Sequence, residues 1–131
     1  MRVRKTDAKE IEAILRLDAQ RRFEHFVKRV VDDQTVWGLW KDGWALMADD
    51  NGKQAFPLWP AMEYADLLRT GDWSAYESSA IPLHELLTDL LPKLASRGVP
   101  PAVFPTPSGK GVTPSPEELA DALRMEMDRY A

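Results

Sequence analysis

The spacing of apolar residues changes period at Thr35, and that change most narrows what this chain can fold into. Before it, Ala19, Phe23, Phe26, Val27, Val30 and Val31 share one face of a helix that opens at Asp18. Nearer the N-terminus, Thr6 is the candidate N-cap of a helix carrying Ala8, Ile11, Ile14 and Leu15, with Asp7 and Glu10 in its first turn. After Thr35 the apolar runs are short. Val36 to Trp40, Trp44 to Ala48 and Gln54 to Trp59 are separated by Lys41-Asp42-Gly43 and by Asp50-Asn51-Gly52. Asn-Gly is a strong hairpin signal and predicts a type I′ turn with both residues at positive φ. The three runs therefore predict an antiparallel meander over about 36–59. Pro57 cannot donate to a ladder, which predicts an edge or an irregularity in the third strand.

The rest of the chain returns mostly to helical spacing. A helix is expected over about 62–69, ended by Gly71, then a loop with Trp73 and Tyr76. Leu83, Leu86, Leu87, Leu90, Leu91 and Leu94 mark another helix, closed by Gly98, and Pro92 should kink or split it. A short strand near 102–104 and a turn at Gly109-Lys110-Gly111 follow. Ser115-Pro116-Glu117-Glu118 reads as a full capping box, opening a last helix with Leu119, Leu123, Met127 and Tyr130 on its core face. The expected class is α+β: an antiparallel meander sheet, with the 102–104 strand, packed by four or five helices. At 131 residues the chain has the size of a single domain, 1–131.

One ordered series of residues is familiar. It comprises Phe23-x-x-Phe26, Val36-Trp37-Gly38-Leu39, Asp42-Gly43-Trp44-Ala45-Leu46, Pro57-Leu58-Trp59-Pro60 with Glu63-Tyr64-Ala65, Trp73, Ile81-x-Leu83, Leu90-Leu91-Pro92, and Phe104-Pro105-Thr106-Pro107 with Gly109-Lys110-Gly111-Val112. This series resembles the bacterial domain of unknown function 2750 family over about residues 18–130. The resemblance implies that residues 1–17 are an N-terminal helical addition. It carries no activity, cofactor or catalytic residue to this chain.

Several chemistries lack their residues. With no cysteine there is no thiolate nucleophile, disulfide framework or Cys-based zinc site. His25 and His84 have no partner at metal-motif spacing, and His25 is expected on a solvated helix face. Asp49-Asp50-Asn51-Gly52 suggests a calcium loop, but Met47 and Leu58 stand where its first and twelfth ligands belong, so a hairpin turn is preferred. Ser108-Gly109-Lys110-Gly111 has Gly after Lys where a phosphate loop needs Ser or Thr, and reads as a turn. No catalytic residue, metal or cofactor is assigned. The N-terminus has no apolar signal region and no stretch is long enough to span a bilayer, so the expectation is a cytoplasmic protein with no membrane contact.

Charge and aromatics leave two surfaces to weigh. Residues 1–31 carry nine Lys+Arg against five Asp+Glu, a net of +4, and residues 32–131 carry eight against sixteen, a net of −8. Arg21, Arg22, Lys28 and Arg29 form a basic helix face, which reads first as a solvated face and last as a nucleic-acid contact. Trp37, Trp40, Trp44, Trp59 and Trp73, with Tyr64, crowd into the middle of the chain. Trp37 and Trp40 differ in strand parity and should point to opposite faces, leaving at least one Trp exposed at a homo-oligomer or partner contact. The function read from this is a non-enzymatic protein- or ligand-interaction module using a Trp-rich surface. The alternatives are a small enzyme with an Asp/Glu-based site and a weak nucleic-acid binder through residues 21–29.

Overall fold

Aspartate caps start the first two helices. The computed structural model describes residues 5–130, so residues 1–4 of the N-terminal segment lie outside the described residues. Helix α1 (Ala8–Leu15) is capped by Asp7 rather than Thr6, with Asp7 Oδ1 accepting the Glu10 N–H at 2.8 Å. Thr6 is instead buried, and its N–H reaches Glu63 Oε2 at 3.3 Å. Helix α2 (Ala19–Asp33) opens on Asp18, whose carboxylate accepts the Arg21 N–H, and ends on Gln34 in the left-handed conformation. Phe26, Val27, Val30 and Val31 of α2 enter the core, as their spacing requires.

The class is α+β, but the strands do not form a simple meander. Strand β1 (Thr35–Trp40) pairs antiparallel with β4 (Glu77–Pro82), in the register Thr35 to Pro82 through Trp40 to Glu77. No strand is expected between Tyr76 and Leu83 from the sequence, yet β4 lies there. A second sheet runs β2 (Met47–Ala48), β3 (Gln54–Leu58), β5 (Pro101–Val103), with β2–β3 antiparallel and β3–β5 parallel. The two sheets join where Trp37 and Trp59 exchange backbone hydrogen bonds of 2.9 and 2.8 Å. Strand β3 is therefore central, not an edge, and it still tolerates Pro57. Phe56 N–H and Leu58 C=O aim at the β5 side, so the Pro57 nitrogen aims the other way. On that side β2 has already ended and β1 has not yet begun, so no ladder bond is lost.

The turns also differ in detail. At 41–43 it is Asp42 that takes positive φ in the left-handed region, at 55°. At 49–53 Gly52 alone has positive φ (79°), which rules out type I′. Gly52 N–H returns to the Asp49 carbonyl, and Asp49 N–H to that of Lys53, which is a type I turn closed by a glycine bulge. Asp49 Oδ1 accepts from both Asn51 and Lys53 N–H at 2.9 Å. This carboxylate is a turn brace.

Beyond β3, a short helix α3 (Met62–Asp66) buries Tyr64 and Ala65. After β4 comes one continuous helical stretch with three local geometries: α4 (Leu83–Glu85), a π-helical turn (Leu86–Leu90) and α5 (Leu91–Arg97). Leu91 N–H reaches back five residues to the Leu86 carbonyl. Pro92, which removes one helical donor and crowds the preceding turn, is accommodated by this wider turn. Gly98 closes α5 in the left-handed conformation. Helix α6 (Pro116–Asp128) packs against α2 and α5.

The capping box at α6 is complete. Ser115 Oγ accepts the Glu118 N–H at 3.0 Å, and Glu118 Oε1 accepts the Ser115 N–H at 2.9 Å. The bond from the Ser115 backbone, then that from its hydroxyl, holds the Glu118 carboxyl below its ordinary range. A carboxyl depressed in the folded state stabilises above its unfolded pKa, about 4.3 for glutamate, and that contribution is lost as pH falls below it. Ser115→Ala is expected to lower stability by about 1 kcal/mol. In urea titrations from neutral pH into acid, the stability difference between wild type and Glu118→Gln should shrink toward zero. A difference independent of pH would refute the charged cap.

Candidate functional site

An open groove of about 440 Å3 lies between the β2–β3 hairpin, β4 and the helical stretch of residues 83–97. Its volume is within the range of ligand pockets. The floor is apolar: Phe56, Ile81 and Leu94 are buried beneath it, with Val99 and Trp44 beside them. Leu46 and Gln54 form the hairpin lip. The opposite lip belongs to the helix, where Glu85, Asp89, Lys93 and Arg97 recur every four residues and are all exposed. The π turn supplies Asp89 and Leu90 to this wall. A π turn inside an α-helix is frequently found at functional sites.

The hairpin lip is positioned by a missing side chain. A Cβ on Gly38 would sit 3.0 Å from the Trp44 ring, so glycine in β1 lets that indole lie close across the strand. Trp44 in turn packs on Phe56 at 5.9 Å and meets Trp40 edge-on, at 5.0 Å and 79°. Trp40 is 42% exposed and Leu46 40%. An aromatic ladder thus runs from the core at Phe56 through Trp44 to solvent at Trp40.

The structure divides the aromatics nominated from sequence. Trp59 and Tyr64 are core residues; the Trp59 indole N–H donates to the Pro105 carbonyl at 2.8 Å. Trp73 is half-buried against the Trp59 ring, and Trp37 is half-buried where the sheets join. Of these residues Trp44 alone lines the groove, and Trp40 stands beside it on the solvent side. Parity placed Trp37 and Trp40 on different faces, and cover on the Trp37 face accounts for most of the rest.

The basic face of α2 also dissolves. Arg21 and Lys28 are exposed, but Arg22 is half-buried, with Nη1 donating to the Leu17 carbonyl at 2.6 Å. Arg29 is buried and ion-paired to Asp33 and Glu10. His25, expected in solvent, is half-buried beside the packed rings of Tyr64 and Phe104. Two exposed cations remain where four were expected. Lys110, in the glycine-bearing turn, pairs with Asp50 at 3.4 Å. Among the described residues, no group of three or more His, Asp or Glu is placed to hold a metal ion. No helix among them is long and apolar enough to cross a membrane.

Sequence reasoning missed Gly38, Leu46 and the charged lip. The repeat of Glu85, Asp89, Lys93 and Arg97 at intervals of four was readable, but the leucines of the same helix carried the stronger pattern.

Against known protein families, residues 23–123 match the model for protein of unknown function (DUF2750). The match covers most of the chain, and the chain belongs to that family. Residues 1–22, which include α1 and its cap, lie outside the match. No curated protein and no solved structure matches the chain.

Proposed function

We propose that this DUF2750 chain is a non-enzymatic interaction module that docks a protein partner on the groove lined by Trp44 and Leu46 and on Trp40 beside it. The observation that carries the reading is Trp40, the most exposed tryptophan among the described residues, packed edge-on against Trp44, which lines a groove with an apolar floor. Burying a large apolar side chain contributes about 1.5–3 kcal/mol, and Trp40 and Leu46 each retain much of that on the free surface. Tryptophan is enriched among the few residues that dominate binding energy. The apolar floor inside a charged lip repeats the core-and-rim pattern of protein interfaces.

The test is photo-crosslinking in living cells. A benzophenone amino acid placed at position 46 should give discrete adducts. The same group at position 125 should not, because Met125, although 68% exposed, lies on α6 against the other flank of α5. Trp40→Ser should reduce the position-46 adducts about tenfold, the effect of 1.4 kcal/mol in affinity. Equal yields from both positions, or no adduct at position 46, would end the docking reading.

A further inference from the structure

Which partner the groove takes can be read from the order of charges on its helical lip. Glu85 and Asp89 are acidic, Lys93 and Arg97 basic, and all four are exposed along one lip of the groove. Twelve residues separate the ends, about 18 Å at helical rise. The pattern inverts about its midpoint: turning the stripe end for end exchanges acids for bases. A surface with that property is complementary to itself when two copies lie antiparallel, and repels itself when they lie parallel.

We infer that the groove face is a two-fold homodimer interface, the docked partner being a second copy of this chain. This rests on the docking reading above. In the dimer Glu85 faces Arg97 of the second copy and Asp89 faces its Lys93, giving four pairs by symmetry. A two-fold interface uses the same patch on both subunits, which is the arrangement an end-inverting stripe satisfies. The apolar surface beside the stripe in each copy is the groove floor with Leu46 across it, and Trp40 packed on Trp44 next to them. Within one copy, Asp89 and Lys93 lie 3.5 Å apart, and both side chains are more than 60% exposed. Such an exposed pair is weak and exchanges readily for an intersubunit one. A partner of one charge would match half the stripe and oppose the other half, whereas the second copy matches all of it. The charges set register and orientation, and the apolar lips supply most of the affinity.

The test is sedimentation of three proteins. Wild type should be a dimer that weakens as salt rises. Glu85→Lys with Asp89→Lys makes the stripe wholly basic, and Lys93→Glu with Arg97→Glu makes it wholly acidic. Each double variant should self-associate about a hundredfold more weakly, because like charges face each other. Mixed one to one, the two should dimerise. All four positions are on the surface, so unchanged melting curves verify folding. A wild type that stays monomeric to about 1 mM would overturn the inference, as would double variants that dimerise like wild type or a mixture that does not associate. The crosslinking experiment separates the two failures. Position-46 adducts to a different protein, with a monomeric wild type, remove the second copy and keep the docking reading. No adduct at all removes both.

Discussion

Gly111→Ala should lower stability by about 2–5 kcal/mol and the Tm on the order of 10 °C. Two independent costs meet at this residue. Its φ is +77°, in the left-handed region, where a side chain costs about 1–2 kcal/mol. A Cβ built there would also fall well inside van der Waals contact with the Val103 carbonyl oxygen. That oxygen cannot retreat cheaply. Val103 is buried, and it exchanges backbone hydrogen bonds of 2.7 and 3.3 Å with Val112. The next residue, Phe104, is tied by its N–H to Leu58 at 2.8 Å, and its ring packs on Tyr64 at 4.8 Å. Gly52 provides the control. Its φ of +79° is nearly the same, but nothing lies within 4 Å of its Cβ position, so Gly52→Ala should show the backbone cost alone. Urea unfolding of both variants separates the two terms. Equal losses at positions 111 and 52 would mean that the close approach to Val103 is not rigid.

The elements legible in the sequence are those whose signals are local. Asp18 and the α2 apolar face lie within fifteen residues of one another, and Ser115 and Glu118 satisfy each other across three. Gly98 ends its helix because the C-terminal position requires positive φ. Strand β4 was illegible because Glu77-Ser78-Ser79-Ala80 has neither β-branched nor aromatic residues, and its partner β1 is some forty residues away. Pairing with β1, not intrinsic propensity, makes it a strand. The type I′ expectation failed because the side chain of Asp49 braces a three-residue loop, which needs only one positive φ. Phe104 had no signal at all. It adopts φ +61° immediately before a proline, where an extended conformation is the norm, and its fixed N–H and packed ring hold it there.

The candidate site was legible in part. Counting tryptophans located the region, and strand parity required that one face out, as Trp40 does. The choice among the five depends on which face the rest of the chain covers, and that is a tertiary property. Trp44 depends on Gly38, whose role appears only when the two strands lie side by side. The basic face of α2 shows the same limit from the other direction. Periodicity puts Arg29 on a polar face, but in the fold its side chain is buried against Asp33 and against Glu10 of α1.

Arg29→Met should therefore be among the most destabilising single changes outside the apolar core, by about 3–5 kcal/mol. The Arg29 side chain is 2% exposed, with Nε 2.7 Å from Asp33 Oδ2 and Nη1 3.4 Å from Glu10 Oε2. Methionine nearly fills the same volume, so the loss measures charge and hydrogen bonding more than a cavity. It leaves the Asp33 carboxylate, itself only 11% exposed, facing a thioether. Arg29→Lys keeps the charge but loses the planar fork that reaches two carboxylates, and should fall between wild type and methionine. Glu10→Gln weakens the tie to α1 alone. It should cost less, because Glu10 is 27% exposed, and should raise amide exchange in residues 8–15 before the rest of the chain. The contrast is Arg16→Ala. Arg16 pairs with Glu12 at 2.6 Å, a shorter distance than either contact of Arg29, yet both partners are exposed and the expected loss is below about 0.5 kcal/mol. Urea unfolding of the four variants at two salt concentrations decides the point. Burial predicts a large effect at 29 that salt barely changes and a small one at 16 that salt removes. If Arg29→Met unfolds within about 1 kcal/mol of wild type, the Asp33 carboxylate is solvated in the folded protein, and Arg29 does not secure α1 to the domain.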